Sequence, residues 1–334
     1  MELFERLTQL TGAFGPSGCE DGVRQVISEQ IAPYVDEYQV DTLGNLIAHK
    51  KGPGKKLMFS AHMDSIGLVV THVEKEGYLR FGSLGWLPDR DVRRQSVVFQ
   101  NGVRGVIALP EDKEEEKSVK LDDFYIDIGA SSREKALKLV QLGDVAVYDA
   151  PTYLQNGRVF SKYLDNRSGC AALVAALAQI ETPANDLWFV FSTQEEVGLR
   201  GAKPAAYGVD PDVGIAVDVT LSDDLLGAAH NCSSVLGKGP GVKVMDGSVI
   251  CQPQVVSWMN RVAGEHGIPV QQDILRSGGT DAGAIQPTRG GVYAGGICIP
   301  CRYTHAPVEV CDLKDIEHSA RFVAALAESE FIGA

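Results

Sequence analysis

Short runs that are apolar along their whole length constrain the fold of this chain most strongly. The run LMFSAH at 57–62 is too apolar to alternate, which is typical of a strand covered on both faces rather than on one. A second apolar run, LWFVF at 187–191, predicts another buried strand. Strands covered on both faces need helices on either side of their sheet, so these runs favour an α/β architecture.

Helical patterns surround these strands. The segment ELFERLTQL places Leu3, Leu7 and Leu10 on one face of a predicted helix. The closing segment, DLKDIEHSARFVAALAES, predicts another helix that Asp312 can cap. Together with the apolar runs, these patterns predict a mixed-sheet α/β domain with helices on both faces.

Between residues 67 and 151 the hydrophobic pattern changes from one of alternating helices and strands to one of mostly short strands. Short strand-like pieces such as GLVVTHV, SVVF and VRGVIAL are separated there by glycine, proline and charged turns. We therefore predict a small β-rich domain, PDZ-like or a barrel, at 67–151. It would interrupt an α/β domain composed of residues 1–66 and 152–334.

Two details are predicted within this β-rich block. The segment SSREKALKLVQLG predicts a helix with a capping box at Ser131 and Glu134 and an end at Gly143. The charged run EDKEEEK at 111–117 predicts a solvated loop.

The charge of the chain limits its partners. A formal net charge of −13 argues against nucleic acid and anionic membranes and is compatible with bound metal cations. No uncharged apolar stretch approaches the roughly 18–20 residues of a membrane span. The acidic first segment, MELFERLTQL, does not resemble a signal peptide, so we expect a cytoplasmic protein.

The seven cysteines are scattered, and reduced thiols are the simplest interpretation for a chain without an export signal. One group has spacings that suit a structural zinc site: Cys298, Cys301, His305 and Cys311. Against a zinc knuckle, GICIPC has the pattern of a strand that ends at Pro300 and not that of the glycine-containing turn that such knuckles prefer.

Potential metal ligands follow the predicted core strands. Ligands bind beyond the carboxyl ends of the strands in open α/β sheets, and nitrogen and oxygen ligands gathered at one such edge suit Zn²⁺ or a similar divalent ion. The side chains at these positions are His62, Asp64, Glu195, Glu196, Asp218 and His305, and Asp165 lies between them in the sequence just before a predicted helix.

Each of these side chains has a simpler explanation when it is taken alone. A single histidine beside a strand is more often packed and hydrogen-bonded than bound to a metal. Asp165 alone can cap a helix, and Asp218 alone can cap a turn. The metal-site hypothesis therefore depends on all of the candidates occurring together at strand ends.

Glu195 and Glu196 raise a separate question because they are adjacent in the sequence at the end of a buried strand. Neighbouring side chains of an extended segment point to opposite faces, so the two carboxylates should meet different partners. A buried carboxylate needs a cation, a hydrogen-bond donor or a proton.

The order and spacing of several motifs resemble the M42 family of metallo-aminopeptidases, which includes glutamyl and lysyl aminopeptidases and the tetrahedral TET assemblies. The resemblance covers essentially the whole chain. The motifs that carry it are AHMDSIG, LDNRSG, STQEEVGLRGA, VDVT, SGGTDAGAI and YTHAPVE.

The resemblance implies a role for each candidate residue. It implies that His62, Asp165 and Asp218 hold one metal ion, and that Asp165, Glu196 and His305 hold the second. Asp165 would bridge the two ions. Glu195 would be the general acid and base, and Asp64 would orient the imidazole of His62.

The resemblance also implies cofactors and partners. We expect two divalent ions per subunit, with Zn²⁺ favoured over Co²⁺ or Mn²⁺, and peptide substrates with a free N-terminus. The inserted domain would mediate dimerisation, and further assembly into a dodecamer is compatible with the family. Three alternatives stay open: a metal-dependent deacylase of N-acyl amino acids, a glucanase-type glycosidase, and a binding protein with a relict site.

Overall fold

The structure of the protein, a computed structural model, describes residues 1–89, 91–113 and 118–331. The helices of the described residues are α1 (Leu3–Gly12), α2 (Asp21–Ile31), α3 (Arg133–Ala136), α4 (Leu164–Leu177), α5 (Ala202–Val209), α6 (Pro253–Glu265), α7 (Ala282–Ile285) and α8 (Leu313–Ala327). Among these helices, none has both the length and the apolar character that a membrane crossing requires.

The strands of the described residues divide between a large sheet and a barrel. In chain order they are β1 (Glu37–Val40), β2 (Leu46–Lys50), β3 (Lys56–His62), β4 (Gly67–Val73), β5 (Leu79–Leu84), β6 (Ser96–Phe99), β7 (Arg104–Ala108), β8 (Tyr125–Asp127), β9 (Val145–Tyr148), β10 (Tyr153–Gln155), β11 (Arg158–Ser161), β12 (Asp186–Ser192), β13 (Val213–Leu221), β14 (Gly241–Met245), β15 (Gln271–Ile274), β16 (Tyr293–Arg302) and β17 (Glu309–Asp312).

The large sheet is mixed. Its order is β1-β2-β12-β3-β13-β16-β17-β11-β10, with β14 paired to β16 and to β15. The central strands β12, β3, β13 and β16 run parallel to one another, and the flanking pairs β1–β2, β2–β12 and β16–β17 are antiparallel. Parallel central strands explain why the apolar runs of the sequence do not alternate with polar residues.

Both faces of the central sheet are covered. On β3, Leu57 and Phe59 belong to the main core, to which α4 and α8 also contribute. Met58, between them, belongs to a second cluster with residues of α5 and α7, including Ala206 and Ile285. Adjacent residues of one strand are therefore buried in opposite layers, and the prediction of helices on both faces is confirmed.

A closed barrel is inserted between β3 and the later strands of the sheet. Its strands follow the order β4-β5-β8-β7-β6-β9. Its interior is a separate apolar cluster that includes Leu79, Phe81, Val97 and Ile126. The prediction of an α/β mixed-sheet fold with a β-rich insertion is confirmed, and the insertion is a barrel.

The predicted helix from Ser131 to Gly143 is wrong in its extent. The α-helix in this segment is the single turn α3, and Ser132 rather than Ser131 caps it by accepting a hydrogen bond from the Lys135 amide. Turns follow this helix directly, and the amide of Leu139 donates a hydrogen bond to the carbonyl of Ala136, three residues earlier. Of the charged run at 111–117, residues 111–113 form a 3₁₀ turn and residues 114–117 lie outside the described residues.

The strand register aligns the ends of the central strands. Ser192, the last residue of β12, pairs with His62, the last residue of β3. Ala216 of β13 pairs with Ser60 of β3, so Asp218, two residues further along, lies level with His62. The carboxyl ends of these parallel strands therefore bring their polar residues to one edge of the sheet.

Candidate metal centre

A first group of potential ligands lies at this edge of the sheet. His62 Nε2 is 3.1 Å from Asp165 Oδ1 and 3.5 Å from Asp218 Oδ1. All three residues are buried, and their ligand atoms lie within 4.8 Å of one another. The structure thus brings together a histidine from β3, a carboxylate from β13 and a carboxylate from the first turn of α4.

A second group shares Asp165 with the first. His305 Nε2 is 3.2 Å from Asp165 Oδ2 and 3.1 Å from Glu196 Oε2. The two oxygens of Asp165 therefore face different histidines, because Oδ1 faces His62 and Oδ2 faces His305. This is the arrangement that a carboxylate shared by two neighbouring cations requires.

Glu195 lies beside the first group without belonging to either group of ligand atoms. Its Oε2 is 4.0 Å from His62 Nε2. Glu196, by contrast, points to His305. The two glutamates thus meet different partners, as the sequence predicted.

The reason for this divergence differs from the prediction. Strand β12 ends at Ser192, so the glutamates lie in a loop and strand alternation does not separate them. The backbone of Gln194, just before them, has a left-handed conformation with φ of +54°, which is uncommon for a residue other than glycine. The loop turns at this position and sends the two side chains apart.

Asp64 supports this loop. Its Oδ1 accepts a hydrogen bond from the Glu195 amide at 3.0 Å, and its Oδ2 accepts one from the Glu196 amide at 3.2 Å. Oδ2 also accepts the hydroxyl of Ser17 at 2.6 Å. His62 Nδ1 is closer to the backbone carbonyl of Asp64, at 3.1 Å, than to its carboxylate, at 3.4 Å. Asp64 therefore contacts the imidazole mainly through its carbonyl, while its carboxylate holds the two glutamates.

Glu309 is a supporting residue that the sequence analysis missed. It is 1% exposed, and it joins the two segments that carry Asp165 and His305. Its Oε1 accepts the His305 amide at 2.7 Å, and its Oε2 accepts the Asp165 amide at 2.9 Å. The only available signal was its place at the end of the YTHAPVE motif.

The electrostatics of the site reflect an excess of buried carboxylates. Burial raises the pKa of Asp218 to about 7, although His62 opposes the rise. Burial also raises the pKa of Glu195 well above its usual range. Burial alone would lower the pKa of His305, but Glu196 and Asp165 beside the ring raise it to about 12.

The pKa of Asp165 shifts in the opposite direction. Burial would raise its pKa, but hydrogen bonds from His305 and His62 hold the pKa well below its usual value. Together with Glu195, Glu196 and Asp218, it gives four carboxylates around two histidines. Buried charges of one sign require a counter-charge.

The residues fit a pair of divalent cations. Glu196 Oε1 is buried and makes no hydrogen bond within the described residues, so one carboxylate oxygen is free to bind an ion. Imidazole nitrogens and carboxylate oxygens are ligands that Zn²⁺ and related ions accept. No cysteine belongs to either group of ligand atoms in the described part of the chain, and His305 lies with Asp165 and Glu196 rather than with Cys298, Cys301 and Cys311.

A cavity of about 580 Å³ opens above these groups. Its floor contains the residues of both groups and Glu195. Its walls include Trp86 from the barrel, whose ring centroid is 5.8 Å from that of His305. The cavity size is that of a small-molecule site, and Glu195 faces the same space as the ligand groups.

Comparisons with known proteins find relatives that match most of this chain. The family profile described as M42 glutamyl aminopeptidase matches residues 44–322. A protein of Acetivibrio thermocellus is 47% identical over 322 residues, which cover 96% of this chain and 97% of its own. The lysyl aminopeptidase of Pyrococcus furiosus is 36% identical over 339 residues, which cover 97% of this chain and 96% of its own.

Solved structures share the complete fold. An aminopeptidase from the archaeon Desulfurococcus kamchatkensis superposes with a TM-score of 0.95 at 36% identity, covering 99% of this chain and 98% of its own. The TET1 peptidase of Pyrococcus horikoshii superposes with a TM-score of 0.88 at 33% identity, covering 98% of this chain and 100% of its own. The profile match over most of the chain confirms the resemblance drawn from the motifs, and the chain belongs to the M42 family of aminopeptidases.

Proposed function

We propose that this chain removes N-terminal residues from peptides with a pair of divalent cations. The observation that carries the proposal is the position of Asp165, whose two oxygens each face one histidine of two adjoining ligand groups. His62 and Asp218 would complete the first cation site, and Glu196 and His305 would complete the second. When bound, such a pair of ions activates water and polarises the carbonyl under attack.

Glu195 would move the proton in this reaction. It faces the cavity and belongs to neither ligand group. Burial raises the pKa of its carboxyl group, which favours proton uptake. We propose that it accepts a proton from the attacking water and returns the proton to the nitrogen of the leaving amine. General acid and base work of this kind typically contributes about 10²–10⁴-fold in rate.

The proposed identity of the ions follows from the ligand types. Two histidines and three carboxylates suit Zn²⁺, and the same set accepts Co²⁺ or Mn²⁺. The side chains alone therefore favour Zn²⁺ without excluding the other two. Activity and metal content after removal and addition of single metals would decide between them.

A panel of substrates tests the reaction itself. Aminoacyl p-nitroanilides with a free amine should be hydrolysed after metal is restored to chelator-stripped protein, and their N-acetylated counterparts should not. Equal hydrolysis of the blocked anilides would contradict an aminopeptidase, whereas release of acetate from N-acetyl amino acids would support a deacylase of N-acyl amino acids.

Two variants separate proton transfer from metal binding. Glu195→Gln should retain both ions yet lose about 10²–10⁴-fold in kcat, because only the proton carrier is removed. Glu196→Gln should lower the occupancy of one ion. Metal analysis and turnover of the two variants side by side would check this, and full turnover of Glu195→Gln would exclude it as the base.

A glucanase is the second candidate, because a structure from Thermotoga maritima described as an endoglucanase superposes with a TM-score of 0.82 at 32% identity and covers 96% of each chain. A glycosidase places two carboxyl groups about 5–10 Å apart across a sugar. A glycosidase mechanism gives no role to His62 and His305, which both face the carboxylate of Asp165. Release of reducing sugar from carboxymethyl cellulose would support this candidate, and a metal-loaded protein inert on both substrate types would support a relict site.

For assembly, we propose that residues 67–151 form a domain for dimerisation and that residues 1–66 and 152–334 form the catalytic domain. One similar structure, 34% identical with a TM-score of 0.90, is described as a dodecamer. This supports an assembly of identical subunits, which we propose is a dimer or a larger assembly up to a dodecamer. Light scattering after size-exclusion chromatography would measure the mass. The net charge of −13 argues against nucleic-acid and anionic-membrane partners, and we propose separately that the protein is cytoplasmic.

A further inference from the structure

The described residues that form the walls of the cavity above the ligand groups carry no charge. The apolar wall residues are Trp86, Leu199, Val219, Leu221 and Leu275. The remaining wall residues are glycines, serine and threonines. Among the described residues that line the cavity, every charged or titratable side chain is Glu195 or a member of the two ligand groups.

Three described arginines close in sequence to the wall residues do not line the cavity. Arg200 and Arg276 follow Leu199 and Leu275, but both are exposed and neither lines the cavity. Arg302 donates hydrogen bonds from Nε and Nη2 to the two carboxylate oxygens of Asp224, at 2.8 and 2.7 Å. An acidic substrate side chain inside the cavity would therefore meet no cationic side chain from the described part of the walls.

A basic substrate side chain meets the same difficulty. The acidic groups of the cavity are Glu195 and the carboxylates of the proposed cation sites. A carboxylate that binds a cation is not available to neutralise a lysine side chain, and the remaining one, Glu195, is used for proton transfer in the proposed reaction. A buried charge without a partner is strongly disfavoured, whereas burial of an aliphatic side chain against leucine and valine is favourable.

We propose that this enzyme prefers peptides whose N-terminal residue has an uncharged aliphatic side chain of the size of leucine or methionine. The proposal rests on the aminopeptidase function above and specifies its substrate class. The neutral wall formed by Leu199, Val219, Leu221 and Leu275 selects against both acidic and basic residues. The cavity of about 580 Å³ has room for a leucine or methionine side chain, which covers more of this apolar wall than alanine or glycine does.

The test is a comparison of kcat/KM for p-nitroanilides of leucine, methionine, alanine, glutamate and lysine with the metal-loaded, full-length protein. Leucine and methionine should exceed glutamate and lysine by about 100-fold or more, since a charged side chain would be buried unpaired. They should exceed alanine by about 10-fold or more, as the loss of methylene groups from an apolar pocket predicts.

The outcomes of this comparison separate the two proposals. Hydrolysis led by glutamate or lysine would overturn the aliphatic preference and leave the aminopeptidase function in place. Absence of hydrolysis for every free-amine substrate would overturn the proposed function and the preference with it.

A pair of matched variants tests whether the wall sets the preference. Leu221 lines the cavity and is 41% exposed, so a lysine can be accommodated there, whereas Leu226 is fully exposed and outside the cavity. Leu221→Lys should raise the ratio of glutamate to leucine hydrolysis by about 10-fold, because it supplies the missing counter-charge. Leu226→Lys should leave the ratio unchanged. Equal ratios in the two variants would contradict the assignment of the wall.

Discussion

Replacement of Glu309 by glutamine should weaken cation binding although Glu309 belongs to neither ligand group. Both of its carboxylate oxygens are occupied by backbone amides, those of His305 and Asp165. Glutamine keeps one oxygen and replaces the other by an NH₂ group, which donates hydrogen bonds and cannot accept the second amide. One ligand-bearing segment would then lose its attachment in a site that is almost fully buried.

The size of the effect follows from the bond that is lost. A hydrogen bond to a charged group contributes about 1.5–3 kcal/mol, and a buried amide left without an acceptor costs a similar amount. Because about 1.4 kcal/mol corresponds to a factor of ten in affinity, the variant should bind the second cation about 10–100-fold more weakly. Changes to residues that orient metal ligands typically have effects of this size.

Calorimetric titration of chelator-stripped protein with Zn²⁺ measures this affinity directly. Glu317→Gln, on the exposed face of α8, is the matched control and should bind as the unchanged protein does. A folded Glu309→Gln protein with unchanged affinity for both ions would refute the reasoning. A lower melting temperature with unchanged affinity would show that Glu309 supports the fold and not the ligands.

Two further predictions concern charge inside the protein. Lys243 is fully buried, and its Nζ lies 2.7 Å from Asp273 and 3.2 Å from Asp246. Lys243→Met should lower the free energy of unfolding by about 3–5 kcal/mol, because it leaves buried carboxylates unpaired. An unchanged midpoint of urea unfolding would contradict this prediction. In metal-free protein, the raised pKa values of Asp218, about 7, and His305, about 12, mean that the folded state holds protons that the unfolded state releases. Metal-free protein should therefore lose stability as the pH rises from about 4 to 7, where Asp218 is protonated only in the folded state, and from about 6.5 to 12, where the same holds for His305. Cation affinity should rise between about pH 6 and 8, because ligands must be deprotonated. Thermal unfolding of metal-free protein at about pH 6 and 8 tests the predicted loss of stability, and metal titrations at the same pH values test the predicted gain in cation affinity. A melting temperature that rises with pH would contradict the predicted loss of stability.

The elements of the central sheet could be predicted from the sequence because burial on both faces leaves a direct signature. Leu57, Met58 and Phe59 are consecutive and apolar, and they belong to two different apolar clusters. No arrangement with one face in water would bury all three. The failure at α3 has a different cause, because the capping-box pattern of Ser131 and Glu134 favours Ser131, whereas Ser132 caps the single turn that forms.

The candidate ligands could also be proposed from the sequence, since residue type and position at a strand end are local properties. The contacts that support these ligands could not be predicted from the sequence. Asp64 bonds to amides 131 and 132 residues away, and Glu309 bonds to an amide 144 residues away. Hydrogen bonds over such separations leave no periodicity or spacing that a single sequence reveals.

This difference decides which carboxylates are available to a cation. Asp64, Glu309 and Asp165 are all buried acids near the same edge of the sheet, and by residue type each is a potential ligand. The oxygens of Asp64 and Glu309 already accept backbone amides, whereas those of Asp165 face two histidines. A carboxylate whose oxygens are bonded to amides orients its neighbours, and one that faces imidazole nitrogens across about 3 Å can share a cation with them. The assignment of roles at this site therefore comes from the partner of each oxygen and not from the identity of the residue.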